Sequence, residues 1–387
     1  MKPRLVIITE IIAPYRVPVF NSLAAQGELD LHVLFLAETD PRLRQWTVPK
    51  NEIRFSYEVL PSFRLRLGKF SLLLNRGLDR ALRRTQPNVI LCGGYNYLSS
   101  WHAALWARKR NIPFLLWTES TAADRRAESV VVENLKRKFL GLCRGCVVPG
   151  AAAKQYLQQL GVPEALIFKA SDAVDNALFT EVARIAKTNR PAVRRRIEVP
   201  DHYFLNVGRL IAAKGVLDLL DAYANLNEAI RAAVGLVFVG DGIAKAELMR
   251  RASMIRPGTV KFSGFVQKEQ LGDFYALADA LVMPTHSDPW GLVVNEAMAC
   301  SLPVIASNVA GCVSDLIEDG WNGIIVPVGD ISKLGSSMEF LARRDDLRDQ
   351  MGERSLQRIQ AYSPQACATG IAKAAIHACA RSHETQH

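Results

Sequence analysis

Short runs of β-branched and aromatic residues alternate with amphipathic segments along almost the whole chain, and the alternation starts twice. An apolar run of strand length bounded by turn residues predicts a strand buried on both faces. Strands alternating with amphipathic helices predict a parallel sheet with helices on its faces. In the first half the runs fall at residues 5–9, 31–35, 89–92, 114–117 and 145–148, with helices between them, for example at 17–25 and 99–110. Pro87 and Pro113 stand just before strands, where a missing N–H interrupts no ladder. Residues 172–179 show no period, and 188–200 are basic and proline-flanked. The pattern then restarts with strands at 203–207, 235–239, 260–262, 280–283, 303–306 and 323–326, followed by a helical end from 331 to about 380. A length of 387 residues exceeds one core at roughly 100–200 residues per domain. The fold expected is therefore α/β, with two Rossmann-like domains facing a cleft. Their spans are 1–178 and 179–362, with a terminal helix and tail at 363–387.

Charge separates the two halves. Residues 1–180 hold 25 Lys and Arg against 15 Asp and Glu, while the remainder holds 23 of each, so the whole excess of +10 lies in the first half and implies an anionic partner there. Arg64, Arg66, Lys69, Arg76, Arg80, Arg83 and Arg84 are interleaved with Leu65, Leu67, Phe70 and Leu72 to Leu74. That mixture suits the headgroup layer of an anionic inner-membrane surface, and equally a solvated basic helix face. Nucleic acid is not an expected partner, because no recognisable module or spaced stacking aromatics accompany the charge. No apolar run reaches the ~20 residues of a membrane span. The first residues resemble a strand more than a signal peptide, with Glu10 and Pro14 where a cleavage site would lie. Seven scattered cysteines suit reduced thiols in the cytoplasm.

Strand ends are where an α/β sheet binds ligands, and two loops of the second half carry fitting chemistry. The first runs Gly208-Arg209-Leu210-Ile211-Ala212-Ala213-Lys214-Gly215 into a helix. Its glycine permits close backbone approach, and its two cations beside a helix start would neutralise a diphosphate; a purely structural turn reads the same way. The second runs from Pro284 to Ala299, with Asp288 and Glu296 eight residues apart, Gly291 between them and a helix starting near Leu292. Asp288 would accept hydrogen bonds from sugar hydroxyls, Glu296 from a ribose diol, and the amides at the helix start would meet phosphate oxygens.

The run from Asp288 to Ala299 resembles the E-x7-E segment of glycosyltransferase family four, whose members are retaining GT-B enzymes using nucleotide-diphosphate sugars. The Gly208 to Gly215 loop, Val239-Gly240-Asp241-Gly242, Phe262-Ser263-Gly264-Phe265-Val266, Ala310-Gly311-Cys312-Val313-Ser314-Asp315 and Asn322-Gly323 with Pro327 and Gly329-Asp330 occur in family order. The resemblance implies a GT-B fold whose terminal helix returns toward the first domain. It further implies Arg209 and Lys214 as a diphosphate clamp, Glu296 as ribose ligand, and Gly208 beside the donor. The backbone of Gly291, Leu292, Val293 and Val294 becomes a sugar and phosphate cradle, and Phe265 and Val266 meet the nucleobase. Asp288 stands where the family has its first glutamate, one methylene shorter.

The first half matches less closely. Its loop from Ile11 to Pro18 resembles a Pro-Tyr-Arg-x-Pro opening in some bacterial surface-polysaccharide transferases, which would turn Arg16 toward donor phosphate or an anionic acceptor. Thr118-Glu119-Ser120 stands where many members place a histidine, so Glu119 would position the acceptor hydroxyl or the transferring sugar; capping or pairing with an arginine is its structural alternative.

The resemblance thus implies a hexosyltransferase carrying sugar from a UDP- or GDP-sugar to a growing, lipid-linked bacterial glycan by front-face attack. No cofactor is expected, and without any Asp-x-Asp the leaving diphosphate would fall to Arg209 and Lys214 rather than to a metal. A nucleotide-sugar epimerase of GT-B fold and a non-enzymatic two-lobed sugar-binding protein are the alternatives. The terminal His383-Glu384-Thr385-Gln386-His387 spells a zincin pattern but reads as a frayed tail, and Cys143-Arg144-Gly145-Cys146 has no second cysteine pair to complete a metal site.

Overall fold

The apolar runs become strands whose successive side chains enter opposite cores. In β1 (Arg4–Thr9), Leu5 and Ile7 pack on one side of the sheet and Val6 and Ile8 on the other, all four fully buried. The same division holds in β10 (Tyr203–Val207), where Tyr203 and Leu205 enter one core and Phe204 the other. A strand buried on both faces needs covering layers on both sides, which is why each sheet is parallel and flanked by helices. The computed structural model describes residues 2–40, 45–67, 70–124 and 130–384.

Contacts divide the chain into two units, Met1–Ala173 with Pro364–His387, and Val174–Ser363. The first unit contains β1, β2 (Asp30–Phe35), β3 (Ser56–Val59), the hairpin strands β4 (Ser62–Leu67) and β5 (Phe70–Asn75), β6 (Val89–Gly93), β7 (Phe114–Trp117), β8 (Gly145–Val148) and β9 (Ile167–Lys169). Seven of these form one parallel sheet in the order β3-β2-β1-β6-β7-β8-β9. The second unit contains β10, β11 (Gly235–Val239), β12 (Val260–Phe262), β13 (Ala280–Met283), β14 (Val304–Ser307) and β15 (Gly323–Val326), parallel in the order β12-β11-β10-β13-β14-β15. Strand order reverses between β1 and β6 in one sheet and between β10 and β13 in the other. Loops diverge at such a switch point and leave a crevice at the carboxyl ends of the strands.

Several expectations are corrected. The single helical end is three helices, Ile331–Ala342, Asp345–Ile359 and Pro364–Glu384. Asp345 and Asp346 in a first turn, and Pro364 at a helix start, restart the helix where the periodicity looks continuous. The last helix belongs to the first unit, packs along helix Val17–Gln26, and contributes Cys367, Ala368, Ile371, Ala372 and Ala375 to its core. The basic stretch at 188–200 is no linker: Asn189 caps helix Arg190–Ile197 by accepting from the Ala192 amide, inside the second unit. That unit begins at Val174, ahead of the boundary expected after residue 178. Of the basic stretch read as a possible helix face, residues 62–75 form instead the antiparallel hairpin β4–β5, and only Leu78–Thr85 is helical.

Among the described residues no helix is long and apolar enough to cross a membrane, and no group of three or more His, Cys, Asp or Glu is arranged to hold a metal ion. All seven cysteines are free of disulfides. The side chains of Arg66, Leu67, Lys69, Phe70 and the terminal run from His383 to His387 lie outside the described residues.

Candidate functional site

The β10/β13 switch point gathers the second unit's predicted residues by backbone bonds between loops. The Gly208 amide donates to Val239 O at 3.0 Å, Leu210 to Asp241 O at 2.9 Å, and Gly240 to Gly264 O at 2.7 Å, so the segments after β10, β11 and β12 are tied in series. The loops after β10 and β13 meet through the His286 amide and the Thr285 hydroxyl, both donating to Ala213 O at 3.0 Å. Their closest approach depends on Gly215, at φ +64°, where an added Cβ would stand 1.9 Å from Pro284 O.

This approach brings Lys214 to Asp288: Nζ and Oδ2 are 2.5 Å apart, with side chains 21% and 16% exposed. Arg209, on the same loop, is exposed. His286 Nε2 lies 2.6 Å from Asp218 Oδ2. Phe265 is exposed at the end of β12, as stacking under a base would require, whereas Val266 is half-buried and packs against the unit's core.

Helix Leu292–Ala299 starts at Gly291, which at φ +101° turns the chain from the Asp288 loop into the helix. The Val294 amide is already taken by Gly291 O at 2.9 Å, so the expected four-residue cradle reduces to the earlier amides of Leu292 and Val293, which have no acceptor within the helix. Trp290 and Asn295 hold this start in place. The buried indole donates to Asn295 Oδ1 at 2.9 Å, and Trp290 O accepts from Cys312 at 3.1 Å. Glu296 does not join Lys214 and Asp288. It is half-buried, accepts from the Tyr275 hydroxyl at 2.7 Å, and burial pushes its carboxyl up to about 7, with that hydrogen bond pulling the other way. Trp290, Asn295 and Tyr275 are not among the residues the sequence singles out; the Trp290–Asn295 spacing is a local signal, while Tyr275 sits a helix away in sequence.

In the first unit Arg16 and Glu119, two separate expectations, form one ion pair. Arg16 also lies 3.3 Å from Asp172 Oδ1 and stacks 3.8 Å from the Trp117 ring centre. These groups follow β1, β7 and β9 on the carboxyl side of the sheet. Burial opposes the Arg16 charge, but Asp172 and Glu119 outweigh it and hold the guanidinium firmly protonated. Burial, and then Glu119, push the Asp172 carboxyl upward despite Arg16. In the sequence Asp172 is only the start of an aperiodic boundary.

A model of glycosyl transferases group 1 matches residues 190–358, and a model of glycosyltransferase family 4 matches residues 20–175. Together the two models cover most of the chain and support a glycosyltransferase of the family-four type. Among relatives, an alpha-D-kanosaminyltransferase of Streptomyces kanamyceticus is 28% identical over 272 residues, covering 70% of this chain and 64% of the relative. The lipopolysaccharide core biosynthesis glycosyltransferase LpsE of Rhizobium meliloti is 28% identical over 177 residues, covering 46% and 49%. The matches thus span less than two thirds of these relatives' own lengths. The crystal structure of Anabaena HepE in complex with UDP superposes with a TM-score of 0.74 at 16% identity, covering 96% of this chain and 99% of that one. The fold is GT-B.

Within this family-four frame, the structure brings Gly208, Arg209, Lys214, Asp288 and Gly291 to one switch point and sets Glu296 one turn into the adjoining helix. Arg16 and Glu119 belong to the other unit, at its own strand ends.

Proposed function

We propose that this chain moves a sugar, with retention at the anomeric carbon, from a UDP- or GDP-linked donor to a glycan acceptor carried on a lipid at the inner membrane. The observation that carries the reading is the Lys214–Asp288 pair at the β10/β13 switch point, beside the opening turn of helix Leu292–Ala299. A diphosphate there would draw Lys214 from Asp288 and take the Leu292 and Val293 amides, with the exposed Arg209 adding a second cation. Asp288, released, would accept hydrogen bonds from sugar hydroxyls. Glu296 would take the ribose diol and Phe265 the base. The UDP in the HepE crystal structure supports the donor assignment, and the lipopolysaccharide role in the name of LpsE supports the acceptor class.

In the transfer, the acceptor oxygen bonds to the anomeric carbon on the face from which the phosphate oxygen departs, and the hydroxyl proton passes to that oxygen. Charge building on the diphosphate is met by Lys214, Arg209 and the helix amides, groups already in place before the reaction. The test is a thermal-shift series with UDP, GDP and their sugars, since a ligand that binds only the folded chain raises its melting temperature. One nucleotide family should stabilise the protein, and Glu296→Ala should abolish that shift. An unchanged shift, or full transfer after neutralising both Arg209 and Lys214, would overturn the assignment.

A further inference from the structure

Hairpin β4–β5 inverts the usual rule that the solvated side of a strand is its polar side. Its outward positions pair Phe63 with Leu74 and Leu65 with Leu72 across the ladder, and all four side chains are exposed, Phe63 by 65%. Arg64 and Asn75 point inward. Arg64 reaches Asp40 Oδ2 at 3.0 Å and Glu10 Oε1 at 3.2 Å, with only 16% of its side chain exposed. Asn75 donates to Leu36 O at 2.5 Å and accepts from the Ser99 hydroxyl at 2.8 Å, and Leu73 lies between these anchors in the core.

A one-residue slip in register would exchange the faces. Two carboxylates instead hold an arginine inside and keep leucines outside, so the outward apolar face is specified. The hairpin joins neither parallel sheet, and a contiguous exposed apolar face marks an interaction surface.

Charge selects the partner. Residues 62–84 hold seven Lys and Arg against the single acid Asp79. Arg76, Arg80, Arg83 and Arg84 are exposed, the last two pairing with Asp79 and Glu58. An apolar face beside a cationic segment complements an anionic lipid leaflet, whereas a second copy of this chain would set two basic segments against each other. The anchors Glu10, Leu36 and Asp40 follow β1 and β2, so the hairpin stands at the carboxyl end of the first unit's sheet, the ligand-binding side of such sheets.

We propose that Phe63, Leu65, Leu72 and Leu74 seat the hairpin in an anionic leaflet and so hold the first unit's strand ends beside a membrane-borne acceptor. This rests on the lipid-linked acceptor reading and is independent of the donor chemistry.

The test is co-sedimentation of the full chain with phosphatidylglycerol-containing vesicles and with pure phosphatidylcholine vesicles. The first should bind it in a salt-sensitive way and the second weakly. Replacing Phe63, Leu65, Leu72 and Leu74 together by serine should lower partitioning by at least about tenfold while the nucleotide thermal shift persists. A single Leu72→Trp variant, which leaves the inward anchors intact, should gain indole emission quenched by brominated lipid chains. Unaltered vesicle binding by the four-serine variant, or an introduced indole that bound vesicles do not quench, would overturn the proposal. So would self-association that depends on these four residues without vesicle binding. Loss of the nucleotide shift with vesicle binding intact would instead sink the donor assignment and leave this one standing.

Discussion

The two switch points of this molecule treat charge in opposite ways. At β10/β13 the cations stand at or near the surface: Arg209 is exposed, and Lys214 shares one carboxylate, Asp288, while both side chains keep some solvent access. In the first unit Arg16, 14% exposed at its side chain, is enclosed by Glu119, Asp172 and the Trp117 ring. An entering anion could recruit Lys214 by displacing one partner. To recruit Arg16 it would have to displace two and leave the buried Asp172 behind. The first arrangement suits a diphosphate; the second suits neutral hydroxyls, which can bond to Glu119 and Asp172 without disturbing the charge balance.

The sharpest way to break this comparison is to remove each cation. Arg16→Ala leaves the buried Asp172 and the partly exposed Glu119 without their counter-ion, and breaking a buried pair from one side costs about 3–5 kcal/mol. We expect a loss of that size in denaturant unfolding, with nucleotide affinity of the surviving folded protein unchanged. Lys214→Ala should do the reverse. Its single pair keeps some solvent access, so its loss should cost less stability than that of Arg16, which holds the buried Asp172 as well. A lost charge-assisted bond to diphosphate, however, should weaken nucleotide binding by roughly tenfold or more. If Arg16→Ala weakens nucleotide binding and leaves stability intact, the contrast between the two sites fails.

Glu296 sharpens the contrast through pH. Its carboxyl, raised from an ordinary 4.5 to about 7, keeps its proton in the folded chain over a range where the unfolded chain has lost it. Its contribution to stability is therefore fully present below 4.5 and is lost as pH rises through 7. A ribose diol donates hydrogen bonds and needs the ionised form, so nucleotide affinity should move the other way, rising with pH through about 7 and then levelling. Calorimetric titration with the stabilising nucleotide should trace that rise, and Glu296→Gln should flatten it. A flat profile in the unaltered protein would show that Glu296 does not accept from the ligand.

How much of the molecule is legible in its sequence depends on how local each feature is. Strands at Tyr203–Val207, Gly235–Val239 and Ala280–Met283 match the apolar runs to the residue, because strands buried on both faces are almost wholly apolar and end at polar or glycine residues. The edge strands Val260–Phe262 and Gly323–Val326 match too, marked by their apolar residues between turn signals. The first unit's edge strands β3 and β9 give no such signal, since Ser56–Val59 is half polar and Ile167–Lys169 is only three residues long. The run Phe63-Arg64-Leu65-Arg66-Leu67 carries a period of two in plain view, but its arginines draw attention to charge rather than alternation. Lys214, Asp288 and Glu296 lie in segments with recognisable spacing. The partnership of Arg16 with Asp172 spans the whole first unit and exists only once β1 and β9 share a sheet.

The smallest expected effect concerns what aims the helix start. Trp290 is buried, and its one hydrogen-bonding group donates to Asn295. Trp290→Phe keeps most of the ring packing, removes that donor and should cost about 1 kcal/mol, a fall of roughly 2–4 °C in melting temperature for a unit of this size. Nucleotide affinity should stay within about threefold, because Gly291 and the bonds from Gly311 to Asp288 O and from Cys312 to Trp290 O still hold the loop. A much larger loss of affinity would mean that the indole, not the backbone, sets the Leu292 and Val293 amides. The expected small loss fits a helix start held by neutral packing and backbone bonds, whereas the Arg16 cluster uses its charges to hold itself together.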